Sequence, residues 1–198
     1  MLHSGNLILV NNAQPLYLEH SGESELTLFC GKEPGILLEK EAASSLNDLL
    51  HAIKGRENIL GVSGYRTQNE QRAIYSDSLK SNGPEFTRKY VALPNHSEHQ
   101  TGLAIDLGLK QENIDFIRPY FPDEGICGRF KALAPSFGFI QRYKKGKETI
   151  TGIAEEPWHF RYIGRPHAEL AECWHMALEE YIEEIKKYTQ QAPLSFEG

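Results

Sequence analysis

Ser97-Glu98-His99-Gln100-Thr101-Gly102-Leu103-Ala104-Ile105-Asp106 is the stretch from which the rest of the chain can be read. From Gly102 to Gly108 the residues alternate, so Leu103, Ile105 and Leu107 point one way and Ala104, Asp106 and Gly108 the other. That pattern predicts a strand with one apolar face for a core and one open face carrying a carboxylate. Small neighbours leave room for a ligand beside Asp106. His99 and Asp106 are seven residues apart, a spacing that shares a face on a helix but not on an unbroken strand. With Gly102 between them, His99 is expected in the loop entering the strand, folded back toward the Asp106 side.

A second segment, Glu156-Pro157-Trp158-His159, supplies the counterpart. His99, Asp106 and His159 together offer two imidazoles and one carboxylate, a set that suits a zinc ion with its fourth position open. The absence of thiolate from the set favours a catalytic over a structural zinc. A lone histidine reads by default as a polar core or surface residue. Here Gly102, Ala104 and Asp106 lie in register and a Glu/His pair follows downstream, which argues for the metal. The other histidines, at positions 3, 20, 51, 96, 167 and 175, lack such a setting. His96 and Glu98 are at most neighbours that orient a ligand.

A carboxylate beside the metal would take a proton from water attacking a carbonyl and return it to a leaving amine. Both Glu155 and Glu156 stand near His159, and spacing alone does not choose between them. On a regular strand a residue three before His159 faces the wrong way, but Pro157 allows a turn or bulge. Arg66 follows Ser63-Gly64-Tyr65 and directly precedes a capped helix, a setting for binding a substrate carboxylate or a developing oxyanion. Gln71, in the first turns of that helix, and the Ser97 hydroxyl would each add a hydrogen bond. Taken alone, Arg66 reads as a surface salt-bridge partner.

The scaffold follows from periodicity. Residues 1 to 35 read as an irregular arm with short strands at Leu7 to Val10 and Leu26 to Phe29. Ala42, Leu46, Leu49, Leu50 and Ile53 recur at helical spacing between Glu39 and Lys54, and Gly55 stops the helix. Ile59 to Ser63 predicts a short buried strand ending at Gly64. Thr67 and Glu70 have capping-box spacing, so a helix is expected from Thr67 to about Lys80, ended by Ser81-Asn82-Gly83-Pro84. Residues 84 to 98 read as a loop. A helix over about Asp123 to Leu133 and strands at Gly138 to Tyr143 and Trp158 to Ile163 come next. Pro166 is placed as the first residue of one amphipathic helix reaching about Tyr188, with Leu170, Trp174, Leu178, Ile182 and Ile185 as its stripe. A polar tail covers 189–198. The sum is a single α+β domain over 1–198, a central antiparallel sheet with helices on one side and the zinc site on its open face.

At 198 residues and a formal net charge of −6, the chain has size for a real core and no basic surplus for nucleic acid. Lys144, Lys145 and Lys147 form a short basic run followed by Glu148, a solvated loop. The three cysteines, Cys30, Cys127 and Cys173, are odd in number and far apart, so neither a disulfide framework nor a thiolate metal site is expected. The apolar run Leu7 to Val10 is too short for a membrane span or signal core. The expectation is a cytoplasmic protein, monomer or homodimer, with small-molecule rather than membrane or nucleic-acid partners.

Three motifs together, Ser97-x-His99-x-x-Gly102-x-Ala104-x-Asp106, Glu156-x-Trp158-His159 and Ser63-Gly64-Tyr65-Arg66-x-x-x-x-Gln71, resemble the VanY-type D-alanyl-D-alanine carboxypeptidases and their VanX and VanXY relatives. The resemblance spans about residues 5 to 185. It implies His99, Asp106 and His159 as zinc ligands and Glu156 as general base. Arg66 would hold the substrate carboxylate or the transition state, with Gln71 and Ser97 assisting. The implied activity is a zinc D,D-carboxypeptidase, with D,D-dipeptidase activity as the second expectation, acting on D-Ala-D-Ala ends of peptidoglycan precursors. The lack of a leader looks like the cytoplasmic bifunctional type. Two rivals remain open: an L,D-carboxypeptidase trimming tetrapeptides, and a non-catalytic zinc module that binds cell-wall peptides.

Overall fold

Residues 5–16, 26–30 and 35–191 are described by the structure, a computed structural model. An antiparallel pair, β1 (Leu26–Cys30) and β2 (Ile36–Glu39), leads straight into helix α1 (Lys40–Ala52). Glu39 caps that helix, its Oε2 accepting from the backbone N–H groups of Glu41 and Ala42. Ala42, Leu46, Leu49, Leu50 and Ile53 are all buried, as their spacing predicts.

After α1 come β3 (Ile59–Ser63), α2 (Gln68–Tyr90), β4 (Ala104–Leu109), α3 (Gly125–Leu133), β5 (Phe139–Tyr143), α4 (Glu148–Thr151), β6 (Glu156–Tyr162), α5 (His167–Cys173) and α6 (Leu178–Gln191). Strands β3 to β6 form one antiparallel sheet in the order β3-β4-β6-β5. The two motif strands are therefore central neighbours, with Ala104 opposite Arg161, Ile105 opposite Phe160 and Asp106 opposite His159.

Because side chains alternate along each strand, this register sorts the residues onto two faces. Ile105, Leu107, Phe139, Phe160 and Tyr162 share a core with Leu46, Leu49 and Leu50 of α1 and Phe130 of α3. The Phe121, Phe130 and Phe160 rings meet edge to face at 4.8–5.5 Å. Asp106, His159 and Arg161 belong to the other face. Its β5 end is closed by Leu9, Ile140 and Ile163 packing against Ala168, Ala171, Leu178, Tyr181 and Ile182 of α5 and α6. The chain adopts the expected α+β architecture of an antiparallel sheet with packed helices, but the helices are not confined to one side: α1 and α3 cover the core face, and α5 and α6 cover the β5 end of the other.

Local differences from the sequence reading have identifiable causes. Leu7 to Val10 forms no strand; Gly5–Leu7 is a 3-10 turn, and Leu9 and Val10 are buried in irregular backbone. Strand β3 is a sheet edge, buried only at Ile59. The helix starting after Thr67 does not end at Gly83-Pro84. Gly83 leaves helical geometry (φ 79, ψ 171), and Pro84, with no N–H to lose and a fixed φ, starts a second piece that runs to Tyr90. The Thr87 hydroxyl donates to the Gly83 carbonyl at 2.9 Å and lies 2.8 Å from Ser78 Oγ, which ties the two pieces together. Residues 84–90 are thus helix rather than loop.

The C-terminal region is two helices, not one. His175, with φ at 52, breaks the chain between α5 and α6, and Pro166 sits at the N-cap rather than inside the helix. A continuous stripe would have buried Leu170 and Trp174, yet both are exposed. The break re-aims α6 so that Leu178, Tyr181 and Ile182 face the sheet instead. Of the expected tail, 189–191 complete α6; 192–198 lie outside the described residues.

Candidate metal centre

His99 is carried on one 3-10 turn, Glu98–Thr101, which ends at Gly102 in the left-handed conformation (φ 74). A side chain at 102 would also put its Cβ 2.8 Å from Leu26 Cδ2, so the turn needs glycine twice over. Gly64 serves as a close-approach residue, since a Cβ there would lie 2.4 Å from the Leu37 carbonyl oxygen. The approach lets the Gly64 carbonyl meet His99 Nδ1 at 2.8 Å. A carbonyl only accepts, so His99 carries its proton on Nδ1 and turns Nε2 inward. That nitrogen lies 3.1 Å from Asp106 Oδ2. His159 approaches the same carboxylate with its other ring nitrogen, Nδ1 to Oδ1 at 2.9 Å.

His99, Asp106 and His159 therefore meet as the sequence predicts, with one ligand atom from each lying within 4.8 Å of the others. Both imidazoles are buried. The residues fit a divalent ion on chemistry as well as position: two nitrogens and a carboxylate oxygen are the donors zinc takes at open sites. Among the described residues His159 Nε2 and Glu98 Oε2 are buried atoms with no hydrogen-bond partner, and they lie 3.5 Å apart. That pair is left over once Nδ1 is turned to the cluster.

Glu156 and Glu155 separate cleanly. Tyr143 pairs with Glu156 while Gln141 pairs with Phe160, so β6 bulges between those two registers. Pro157 lies in the bulge, where no N–H is needed. The extra residues bring Glu156 onto the His159 side, its Oε2 3.8 Å from His159 Nδ1. Glu156 is buried and Glu155 exposed.

Arg66 also points into this cluster, with Nη2 3.6 Å from Asp106 Oδ2 and Nη1 donating to Gln71 Oε1 at 2.9 Å. Thr67 and Glu70 form the reciprocal capping box that starts α2 directly after it. Gln71 is buried and spends its other end on the Ala92 carbonyl at 2.8 Å. Its amide thus holds Arg66. Ser97 is buried at the wall of the same cavity.

Proximity sets the charges. Burial, helped by the Arg66 charge, pushes His99 down to about 4. Burial would lower His159 as well, but its hydrogen bond to Asp106 and the Glu98 carboxylate close by lift it to about 9. Burial alone would raise Asp106; the two histidines hold it far below the usual carboxylate range instead. Glu156 is pushed up to about 8 by burial, with His159 and Arg66 opposing and Asp106 and Glu98 adding.

The cluster forms one end of a cavity of about 380 Å³. Beyond the metal residues it runs along α2 past Ile74 and Asp77, under Phe116 and Ile117, which are exposed by 74% and 56%. Tyr143, whose ring centre is 4.9 Å from that of His159, and Trp158 line its inner wall. Of these wall residues only Trp158 belongs to a motif; the others, and the buried Arg142 and Arg161 that reach Glu98 from β5 and β6, carry no motif signal. Arginines placed inside otherwise aromatic strands were the available signal.

Residues 35–165 match the family model described as VanY, D-alanyl-D-alanine carboxypeptidase. The chain is 41% identical over 186 residues to the bifunctional D-Ala-D-Ala dipeptidase and D-Ala-D-Ala carboxypeptidase VanXYC of Enterococcus gallinarum, covering 93% of this chain and 97% of that protein. Among solved structures, it is similar to the vancomycin resistance D,D-dipeptidase VanXYg in complex with a D-Ala-D-Ala phosphinate analog. The TM-score is 0.90 and the identity 52%, over 94% of this chain and 73% of that one. It is also similar to a mutant of the vancomycin resistance D,D-pentapeptidase VanY from a VanB-type resistance cassette, in complex with Zn(II). There the TM-score is 0.70 and the identity 29%, over 89% of this chain and 98% of that one.

Proposed function

The chain belongs to the VanY family of D-alanyl-D-alanine carboxypeptidases, and from that premise we propose a zinc D,D-carboxypeptidase that is also a D,D-dipeptidase. Its substrates are the D-Ala-D-Ala ends of peptidoglycan precursors, the activity of vancomycin resistance. The observation that carries the reading is the meeting of His99, Asp106 and His159 at one point, with the buried Glu156 carboxylate beside them.

On this reading His99 through Nε2, His159 through Nδ1 and the Asp106 carboxylate hold the metal. Zinc, when bound, supplies Lewis acidity and brings water into the range where it deprotonates near neutral pH. Glu156 takes the proton of the attacking water on its carboxylate and delivers it to the leaving amine nitrogen of the C-terminal residue. Its raised affinity for protons suits both halves of that transfer. Arg66, anchored by Gln71, offers its guanidinium to the substrate carboxylate or to the developing oxyanion. Ser97 adds a hydroxyl at the cavity wall. Ile74 and Asp77 line the same cavity as the metal residues.

A cytoplasmic location and a monomeric or dimeric state belong to the same reading. Among the described residues no helix is long and apolar enough to cross a membrane. Cell fractionation and sedimentation check these two points.

The testing experiment is mass spectrometry of D-Ala-D-Ala and of tetra- and pentapeptide precursors incubated with the protein, with and without a chelator. Release of D-alanine from dipeptide and pentapeptide, stopped by the chelator, is the expected result. Release from tetrapeptide alone would replace the reading with an L,D-carboxypeptidase. A peptide that binds and is never cut would replace it with a binding module.

A further inference from the structure

Glu98 stands next to a proposed ligand in sequence, yet its surroundings are those of a residue with its own task. Its side chain is wholly buried. One carboxylate oxygen, Oε1, takes both arginines: Arg142 Nε at 2.8 Å and Arg161 Nη1 at 2.9 Å. The other oxygen, Oε2, is left over and lies 3.5 Å from His159 Nε2. Among the described residues neither of those two atoms has a hydrogen-bond partner.

The arginines cannot easily swing away. Arg142 is held by a two-pronged contact to Glu179 of α6, at 2.9 and 2.6 Å. Arg161 donates through Nη2 to the carbonyls of Asn6 and Ile8, at 3.1 and 2.7 Å. Two carboxylates and two guanidiniums balance within this buried group, so Glu98 stays ionised and fixed in orientation.

We propose that Glu98 is a positioning residue of the metal centre, accepting the Nε2–H of His159 and so holding that ring with the Nδ1 lone pair aimed at the metal. The proposal rests on the reading of His99, Asp106 and His159 as the ligands. It explains why the two histidines use different ring nitrogens. His99 gives Nδ1–H to the Gly64 carbonyl and presents Nε2, whereas His159 gives Nε2–H to a carboxylate and presents Nδ1. A carboxylate partner makes the imidazole a more basic ligand than a carbonyl partner does, and it fixes the tautomer. A residue present only to neutralise Arg142 and Arg161 would have no reason to keep one oxygen free and turned to His159.

Long-range proton–nitrogen NMR on the zinc-loaded wild-type protein tests this without any substitution. The expected spectrum has the His159 proton on Nε2 and the metal-bound signature on Nδ1; the reverse assignment overturns the proposal. Competition with a chromophoric chelator supplies a second test. Glu98→Gln should weaken zinc binding by about 10- to 100-fold. Glu98→Asp, which keeps the charge but withdraws it by one methylene, should fall between that variant and wild type. Glu179→Gln loosens Arg142 but leaves both Glu98 and its contact with His159 in place, so it should weaken zinc binding less than Glu98→Gln does. Equal zinc affinity in all four proteins overturns the proposal. If Glu98→Gln does not fold, the wild-type tautomer and the aspartate variant decide the matter. A wild-type protein that takes up no zinc, or takes it up undiminished in His159→Ala, sinks the ligand reading itself, and the proposal with it.

Discussion

Phe160 and Arg161 are neighbours on β6, both fully buried, and they face opposite sides of the same sheet. Phe160 packs between Phe121 and Phe130 and contributes through area and shape alone. Arg161 enters an interior of charges where each member is tolerable only because the others are present. The core face therefore sets how stable the chain is. The site face sets what the chain can hold, and its residues depend on one another far more closely.

That contrast can be broken or sharpened by substitution. The largest expected effect is on the site face: Glu156→Gln should lower hydrolysis of D-Ala-ended peptides by about 10²- to 10⁴-fold. Thermal midpoint and zinc content should stay at wild-type values. Wild-type turnover in that variant would remove Glu156 from the chemistry.

On the core face, Phe160→Ala should cost about 3–5 kcal/mol in urea unfolding. Turnover per folded molecule should survive, because the apolar side touches no reacting group. Next door, Arg161→Met should destabilise by about 3 kcal/mol, since it strips one of two cations from the buried Glu98. Unlike Phe160→Ala, it should also weaken zinc uptake. If both variants changed only stability, the division between the two faces would fail.

The smallest effect is a proton count. In the metal-free protein His159 titrates near 9 and Glu156 near 8, whereas His99 titrates near 4. At pH 7 His159 is thus charged and Glu156 neutral, while His99 is already free of its extra proton. A metal needs neutral imidazole, so zinc uptake at pH 7 should release at least one proton and tighten as pH rises toward 9. Calorimetry in buffers of different ionisation heat reads the number directly. Uptake without proton release would contradict the charge state assigned to His159.

Much of the site could be read in the chain because its residues announce themselves locally. His99 and Asp106 sit on either side of a glycine that ends a turn, and the alternation after Gly102 sorts carboxylate from core. Glu156 was harder. Only the bulge between β5 and β6, a pairing of residues well separated in sequence, turns it toward His159 and leaves Glu155 in solvent. Glu98 could be placed only as a neighbour able to orient a ligand, on a par with His96, since its partners Arg142 and Arg161 lie 44 and 63 residues further on. Along the scaffold, Gly83-Pro84 read as a stop although a proline also starts helices well. The helical period through 166–188 hid a break at His175 that only tertiary packing reveals. Around Glu156, Glu98 and His175 a long-range contact overrides the local pattern, whereas at Gly83-Pro84 the local signal itself has two readings.

The central claim is that His99, Asp106 and His159 share a single zinc ion. Diffraction data collected at the zinc absorption edge from zinc-loaded crystals test it most directly. One anomalous peak per chain is expected, about 2.0–2.2 Å from His99 Nε2, His159 Nδ1 and an Asp106 oxygen. A peak elsewhere on the chain, or none among these three side chains, would contradict it.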